Sequence, residues 1–572
     1  MRPSIVLLLA LCGLASSQIN EEVPQNDNLA KFAWPIALQN SYSDQSTDLP
    51  SIDRGDFKSG PFGPVLDVAR QSLFDPIVLL GPTSLLYTDR KGGDTSDGFW
   101  SSSFTDICKV SRTTTDLGIV DCFKKPDSDI DITPHGIYSF VTSDNYYFNP
   151  NGRRIFALSD AEEGEFLSDI RVAAEFLFDG SDRLDTTIED DRFYAVVPLY
   201  PAAGDTDSSS LLMAYITFRA QVGVLSFDRE TETFTEVSNV VALDQEEDGG
   251  ELPVDELGNI YAVTGASAAG NGEDNKVFRI QFTASADPTD GVLEVIWASA
   301  YESVDEPAIG RITPIGSGSS PTIIDLDGEL FIVITDGSDP QKLVVYHADD
   351  GSVAAFAEVT FGGLPDGLSS FSDQSVLADG TDLYVVNDAL TDEGIKSLLD
   401  PQFRSLIAVL LGDSPLGIQK FEFKRDPEDQ DSFVLESIWT RNDTFIANGI
   451  PTLSRSETQK KLLYGDAETG ADELFIKTGC DLRYNSLFAA TEVGDEQELI
   501  SGVLFGVVRA IPKDQSDTSV TSELWTMKAR GGATQITWSG DDQYPAWSSE
   551  AEGDDSFTAK WEVFQSWLDT QI

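Results

Sequence analysis

Pro321-Thr-Ile-Ile-Asp-Leu-Asp-Gly-Glu-Leu-Phe-Ile-Val-Ile-Thr-Asp336 reads as two β-strands around a tight turn. Ile323 and Ile324 are β-branched, and Asp325-Leu326-Asp327-Gly328 supplies turn residues. The run from Leu330 to Ile334 is too short for a helix but long enough for a buried strand. Its apolar half recurs at 85–89, 155–160, 193–197, 260–264, 383–388 and 462–466, and each copy is read as the second strand of a repeating unit. A different element closes the units: Val292-Leu-Glu-Val-Ile-Trp297 returns as Val434-Leu-Glu-Ser-Ile-Trp439, with weaker echoes at 234–237, 356–359 and 523–525. A third strand such as 343–347 lies between them.

Four strands per unit, repeated along the chain, predict an all-β fold, a seven- or eight-bladed β-propeller of four-stranded antiparallel blades. Helical solenoids do not fit repeats rich in β-branched and aromatic residues and broken by Asp-Gly turns. One short helix is expected at 395–399, inside a long loop. No Pro/Ser-rich linker divides the repeats, so residues 71–572 are read as one propeller domain. Residues 18–70 form an N-terminal segment expected to contribute to blade closure. The aromatic stretch at 561–567 either returns to complete the first blade or packs as a helix.

Residues 1–17 carry Arg2, an apolar run from Ile5 to Leu11 and the small residues Ala15-Ser16-Ser17, the pattern of a secretion signal. That run is too short to span a bilayer and no later stretch is long enough, so a secreted, extracellular protein without a membrane span is expected. Cys108 and Cys122 flank a turn-rich segment, which in a secreted protein predicts a disulfide across a hairpin. Cys480 is then left over and reads as a buried thiol. Asn442-Asp443-Thr444 is a glycosylation sequon, placing a glycan on Asn442.

The formal charge is −59, from 97 acidic and 38 basic residues. Such a surface repels nucleic acid, whose binding needs clustered Lys and Arg. The acidity fits a solubilising coat, adaptation to salt, multivalent calcium binding or attraction to a basic partner. With 41% apolar and 10% aromatic residues, the chain has enough to build a core.

In a propeller the innermost strands line the axis, so polar residues just ahead of them converge from distant positions. The candidates are His135, Ser319, Ser320, Asp373, Gln374 and Asn448, as a ring that hydrogen-bonds a small molecule or glycan; the competing reading is that they satisfy strand ends and ordered water. With only His135 and His347 in the chain, a His-rich zinc site or a Ser-His-Asp triad has little to draw on. Calcium suits the abundant carboxylates better. Asp325, Asp327 and Glu329 place alternate acids on a turn, as do Asp127, Asp129 and Asp131, although neither set completes an EF-hand loop.

The Pro-Thr and Gln-Ser strands, Ala348-Asp-Asp-Gly351, Asp466-Ala-Glu-Thr-Gly470, Gly316-Ser-Gly-Ser-Ser-Pro-Thr322, Leu416-Gly-Ile-Gln-Lys-Phe421 and Asn448-Gly-Ile-Pro-Thr452 together resemble the repeat of quinoprotein-like β-propellers across about residues 70–540. They also resemble secreted members of that superfamily without an assigned activity. Quinoprotein dehydrogenases carry docking tryptophans in most blades and often a vicinal cysteine pair beside the cofactor. This chain has no adjacent cysteines and closing tryptophans only at Trp297, Trp439 and Trp525, so the resemblance implies the fold, and pyrroloquinoline quinone (PQQ) is not expected. The reading is a monomeric extracellular binding or scaffold protein with a glycan, matrix component or basic protein as ligand. The alternatives are a quinoprotein-type oxidoreductase with a cofactor in the channel and a hydrolase or lyase using channel carboxylates.

Overall fold

The computed structural model describes residues 23–30, 41–44, 65–70, 84–87 and most of 98–511. The strands form eight antiparallel sheets, six of them four-stranded. Val65–Arg70 is β1. The next sheet is β2 to β5 (Ser84–Tyr87, Gly98–Ser102, Asp106–Arg112, Leu117–Lys124), followed by β6 to β9 (Phe140–Val141, Tyr147–Asn151, Arg154–Asp160, Ile170–Leu177). Then come β10 to β13 (Phe193–Pro198, Ser210–Thr217, Gln221–Asp228, Thr233–Glu236), with β14 (Val241–Ala242) beside β12, and β15 to β18 (Glu247–Asp248, Asn259–Gly265, Lys276–Thr283, Val292–Ala300). After these lie β19 to β22 (Thr322–Leu326, Glu329–Thr335, Lys342–His347, Val353–Glu358) and β23 to β26 (Leu377–Asp379, Asp382–Val386, Ile418–Arg425, Phe433–Arg441). The chain continues through β27 to β29 (Thr452–Leu453, Lys460–Gly465, Asp472–Gly479) and β30 to β32 (Thr491–Val493, Leu499–Val503, Gly506–Ile511). Each sheet is a meander in chain order, except that β1 pairs with β32 along Val65↔Ile511 to Arg70↔Gly506.

The deciding hairpin forms as its residues require. β19 and β20 pair from Thr322↔Val333 to Leu326↔Glu329. Asp327 (φ 59°) and Gly328 (φ 81°) are both left-handed, as in the type I′ turn whose twist matches that of its strands. Asp325 Oδ1 accepts the Gly328 N–H at 2.8 Å and fixes the turn.

The closing-strand reading holds at β13, β18, β22 and β26, and 343–347 is the third strand β21. The second-strand reading needs correction. Copies at 260–264, 331–336, 383–388 and 462–466 fall on second strands, but 85–89 falls on β2 and 193–197 on β10, both first strands, while 155–160 is the third strand β8. The reason is burial: β8, β10 and β16 are all almost wholly buried. A strand covered on both faces reads as an apolar run whatever its rank in the sheet. Cys108 on β4 and Cys122 on β5 stand directly opposite and are joined as a disulfide. Residues 1–17, 395–399, Cys480, Trp525 and 561–567 lie outside the described residues.

The core is laid between sheets rather than gathered at one centre. Alternate residues of β11 show it: Ala214 and Ile216 pack towards β16 and β17, while Leu211, Met213 and Tyr215 pack towards β7 and β8, as the two-residue period of a strand dictates. Similar layers join β2–β5 to β6–β9, β15–β18 to β19–β22, and β19–β22 to β23–β26.

Closing tryptophans pin one sheet to the next. Trp297 Nε1 donates to Ala348 O at 2.9 Å, and a Cβ on Gly351 (φ 72°) would lie 2.7 Å from its ring. Trp439 lies against Gly470 (φ 68°) in the same manner. Gly351→Ala should therefore cost about 1–3 kcal/mol through overpacking and left-handed strain, read as a lower urea midpoint.

Lys125 is buried after β5, with Nζ donating to Ser102 Oγ at 3.1 Å. Burial pushes its amine down to about 7, against an opposing pull from Asp106. The unfolded chain holds that proton up to about pH 10.4, so between these values the unfolded state binds more protons. This group's contribution to stability must therefore rise with pH across that window. Lys125→Met should flatten the rise, seen by measuring unfolding free energy from pH 7 to 10.

Candidate functional site at the converging strand edges

The first strand of each meander is an edge strand, and a short N-terminal stretch runs along these edges. Ala30 N–H donates to Val141 O at 3.0 Å, beside β6. Asn26 and Asn28 side chains donate to Pro198 O and Leu199 O at 3.2 and 3.1 Å, at the end of β10. The carbonyls of Ser41, Tyr42 and Asp44 accept from Val254 N–H (2.7 Å), Ile323 N–H (2.9 Å) and Ala378 N–H (2.8 Å). Val254 bridges to Ile260 on the first-strand side of β16, Ile323 is in β19, and Ala378 is in β23. Four residues span at most about 14 Å, so the first strands of three successive sheets converge there.

Side chains fasten the stretch. Tyr42 is buried with Tyr261, Ile323 and Tyr346, and its hydroxyl donates to Glu256 Oε2 at 2.7 Å. Burial, and then that carboxylate, hold the phenol well above its ordinary range. Tyr200 OH donates to Pro24 O at 2.6 Å, and Thr322 Oγ1 lies 2.8 Å from Val376 O and 3.2 Å from Ser43 O.

Of the sequence-predicted ring, Ser319 and Ser320 are buried in the loop ahead of β19, and Gln374 is half-buried ahead of β23. His135, Asp373 and Asn448 lie outside the described residues. Ser319 N–H donates to Ser317 Oγ at 3.0 Å, and its own Oγ donates to Ser320 O at 3.2 Å. Ser317 N–H donates to Tyr301 OH at 3.0 Å, and Ser317 Oγ donates to Thr335 O. Gln374 N–H donates to Ser372 Oγ at 3.3 Å. The two loops meet where Thr335 Oγ1 donates to Ser372 O at 3.1 Å. In these contacts Ser317 and Ser319 brace the loop ahead of β19.

The sequence reading missed glutamines that open third strands. Gln341 precedes β21 and exchanges hydrogen bonds with Ser372, Nε2 to O at 2.9 Å and N–H to Oε1 at 2.7 Å. Gln419 Oε1 in β25 accepts the N–H groups of Thr360 and Phe361, and Gln221 in β12 holds Asp185 N–H at 2.8 Å. The signal was present as Gln-Lys followed by an apolar residue at 341–343 and 419–421. Beside Gln341, buried Asp336 takes Ser338 Oγ at 2.7 Å and Lys342 N–H at 2.8 Å, while burial holds its carboxyl above the usual range.

Two of the proposed calcium trio are tied to Arg425, and all three have partners within the protein. Asp325 serves the turn, Asp327 Oδ2 lies 3.1 Å from Arg425 Nε, and Glu329 lies 2.9 Å from His347 Nδ1 and 3.4 Å from Arg425. Arg425 belongs to the neighbouring sheet, so these charges join β19–β22 to β23–β26. Asp127, Asp129 and Asp131 lie outside the described residues. Among the described residues no group of three or more His, Cys, Asp or Glu side chains is arranged to hold a metal. Asn442 is exposed just beyond β26, and no described helix is long and apolar enough to cross a membrane.

Meanders packed in chain order, converging first strands and closing tryptophans docked on the following sheet together make an all-β fold of the β-propeller type. No family model matches the chain. An uncharacterized protein of Archaeoglobus fulgidus is 28% identical over 344 residues, covering 53% of this chain and 59% of that one. The match thus spans less than two thirds of the relative's length. Among solved structures, a quinohemoprotein alcohol dehydrogenase from Pseudomonas putida HK5 is similar at a TM-score of 0.48 and 10% identity, over 87% of this chain and 83% of that one. The corresponding enzyme from Comamonas testosteroni gives 0.45 and 11% over the same shares. BamB from Moraxella catarrhalis gives 0.29 and 12%, over 65% of this chain and 98% of that one.

Proposed function

We propose that this chain is a secreted, eight-bladed propeller that works as an extracellular binding or scaffold protein through its outer rim. One observation carries the reading. Eight of the ten exposed large apolar side chains among the described residues lie on the outermost strands: Val172 and Leu177 on β9, Val292, Val295 and Ile296 on β18, Val353 and Phe356 on β22, and Ile438 on β26. Exposed apolar surface of this kind marks interaction sites. Exposed Glu294, Glu358 and Glu436 are interleaved with it, which favours a partner that is apolar and basic. Conversely, the converging first-strand edges, where the oxidoreductase reading would seat a cofactor, are bonded to the chain's own residues 26–30 and 41–44.

The test is the melting temperature of the mature protein in chelator, in calcium, and in calcium plus PQQ. A ligand that binds only the folded state must raise apparent stability. The binding reading expects no added rise from the quinone, and an added rise of several degrees would overturn it in favour of the oxidoreductase.

A further inference from the structure

We propose that the converging first-strand edges are a binding site for a peptide segment, and that residues 23–30 and 41–44 are its resident ligand, supplied by the same chain. This goes beyond the outer-rim reading and does not depend on it. No described sheet takes a strand from these residues, and Leu29 makes only an isolated bridge to Thr142. What they contribute instead is occupancy of edges that belong to five successive sheets.

The recognition is largely main chain to main chain, through the carbonyls of Ser41, Tyr42 and Asp44 and the N–H of Ala30. Open main-chain groups at a strand edge capture other backbone by such bonds, here backbone that turns at 27–28 and 41–42 with Ser43 left-handed (φ 52°), and side chains then fix its position. Two residues do so here. Asn26 reaches both Pro198 O at 3.2 Å and Ser41 Oγ at 3.1 Å, tying the two stretches to each other and to β10. Tyr42 fills the apolar layer between two sheets and ends on Glu256. The site therefore takes a turn-containing segment carrying an amide side chain and, farther along, a buried tyrosine.

The test uses the full chain with a protease recognition sequence inserted between residues 45 and 64, cut after folding. A fluorescein-labelled synthetic peptide of residues 23–44 is then added and its anisotropy followed. The expected result is that the labelled peptide enters and displaces the cut segment, while peptides carrying Asn26→Ala or Tyr42→Ala bind at least tenfold more weakly. The proposal is overturned if the labelled peptide does not enter, whether the cut segment stays or leaves. It is equally overturned if both substituted peptides bind as well as the parent.

Discussion

Asp160→Ala should destabilise the protein by about 3–5 kcal/mol, the cost of leaving a buried charge without its partner. Lys109 on β4 and Asp160 at the end of β8 are both buried, with Nζ 2.7 Å from Oδ1. The pair lies in a network that spans two sheets. Lys109 Nζ also donates to Ser168 O at 2.8 Å, Asp160 Oδ2 accepts from Asn145 Nδ2 at 2.8 Å, and Asn145 Oδ1 accepts from Trp100 Nε1 at 2.8 Å. The ammonium further lies 5.0 Å from the centre of the Phe166 ring. Removing the carboxylate leaves both a cation and an amide unmatched in a medium that solvates neither. The double variant Lys109→Met/Asp160→Leu should recover most of the loss, since apolar replacement of a whole buried pair is often near neutral. Urea unfolding of the three proteins checks both statements, and a single variant within about 0.5 kcal/mol of the parent would refute the first.

Phe331→Ala should cost about 3–5 kcal/mol by emptying an aromatic site in the core. Phe331 is fully buried on β20, and its ring centre lies 4.9 Å from those of both Phe423 and Phe433, edge to face, on the two last strands of the next sheet. His347 stands 5.1 Å away on β21, so the cavity would be walled by rings unable to close over it. Phe356→Ala is the matched control: the residue is 62% exposed on β22, and its loss should change stability by less than about 0.5 kcal/mol. The same urea series reads both, and equal effects would contradict the inter-sheet core.

These two phenylalanines also show what the sequence could convey. The 321–336 hairpin was legible because Asp-Gly at the turn and β-branched residues beside it are local signals. The closing strands were legible because a local pattern, Val-Leu-Glu-x-Ile-Trp, repeats at 292–297 and 434–439. Strand rank was not legible, because β8 and β10 are buried on both faces and carry no mark of which neighbour they pair with. Ser319 and Ser320 were legible as polar residues ahead of a first strand, and Ser319 bonds there to Ser317 Oγ and Ser320 O. The contacts of residues 41–44 were invisible for a simpler reason: Ser41, Tyr42 and Asp44 accept there through carbonyl oxygens, which every residue has.

The pairing of β1 with β32 has a further meaning for a chain made from one end. Of the described strands, the first to be made waits for the last before its sheet can form. Loop-closure entropy grows only logarithmically with length, so this arrangement adds little to the equilibrium cost. It weighs instead on the clock, because contacts between distant segments slow folding. Until β32 arrives, β1 is an unsealed edge, and a chain truncated before 506–511 carries that edge into solution, where association with other chains competes with folding.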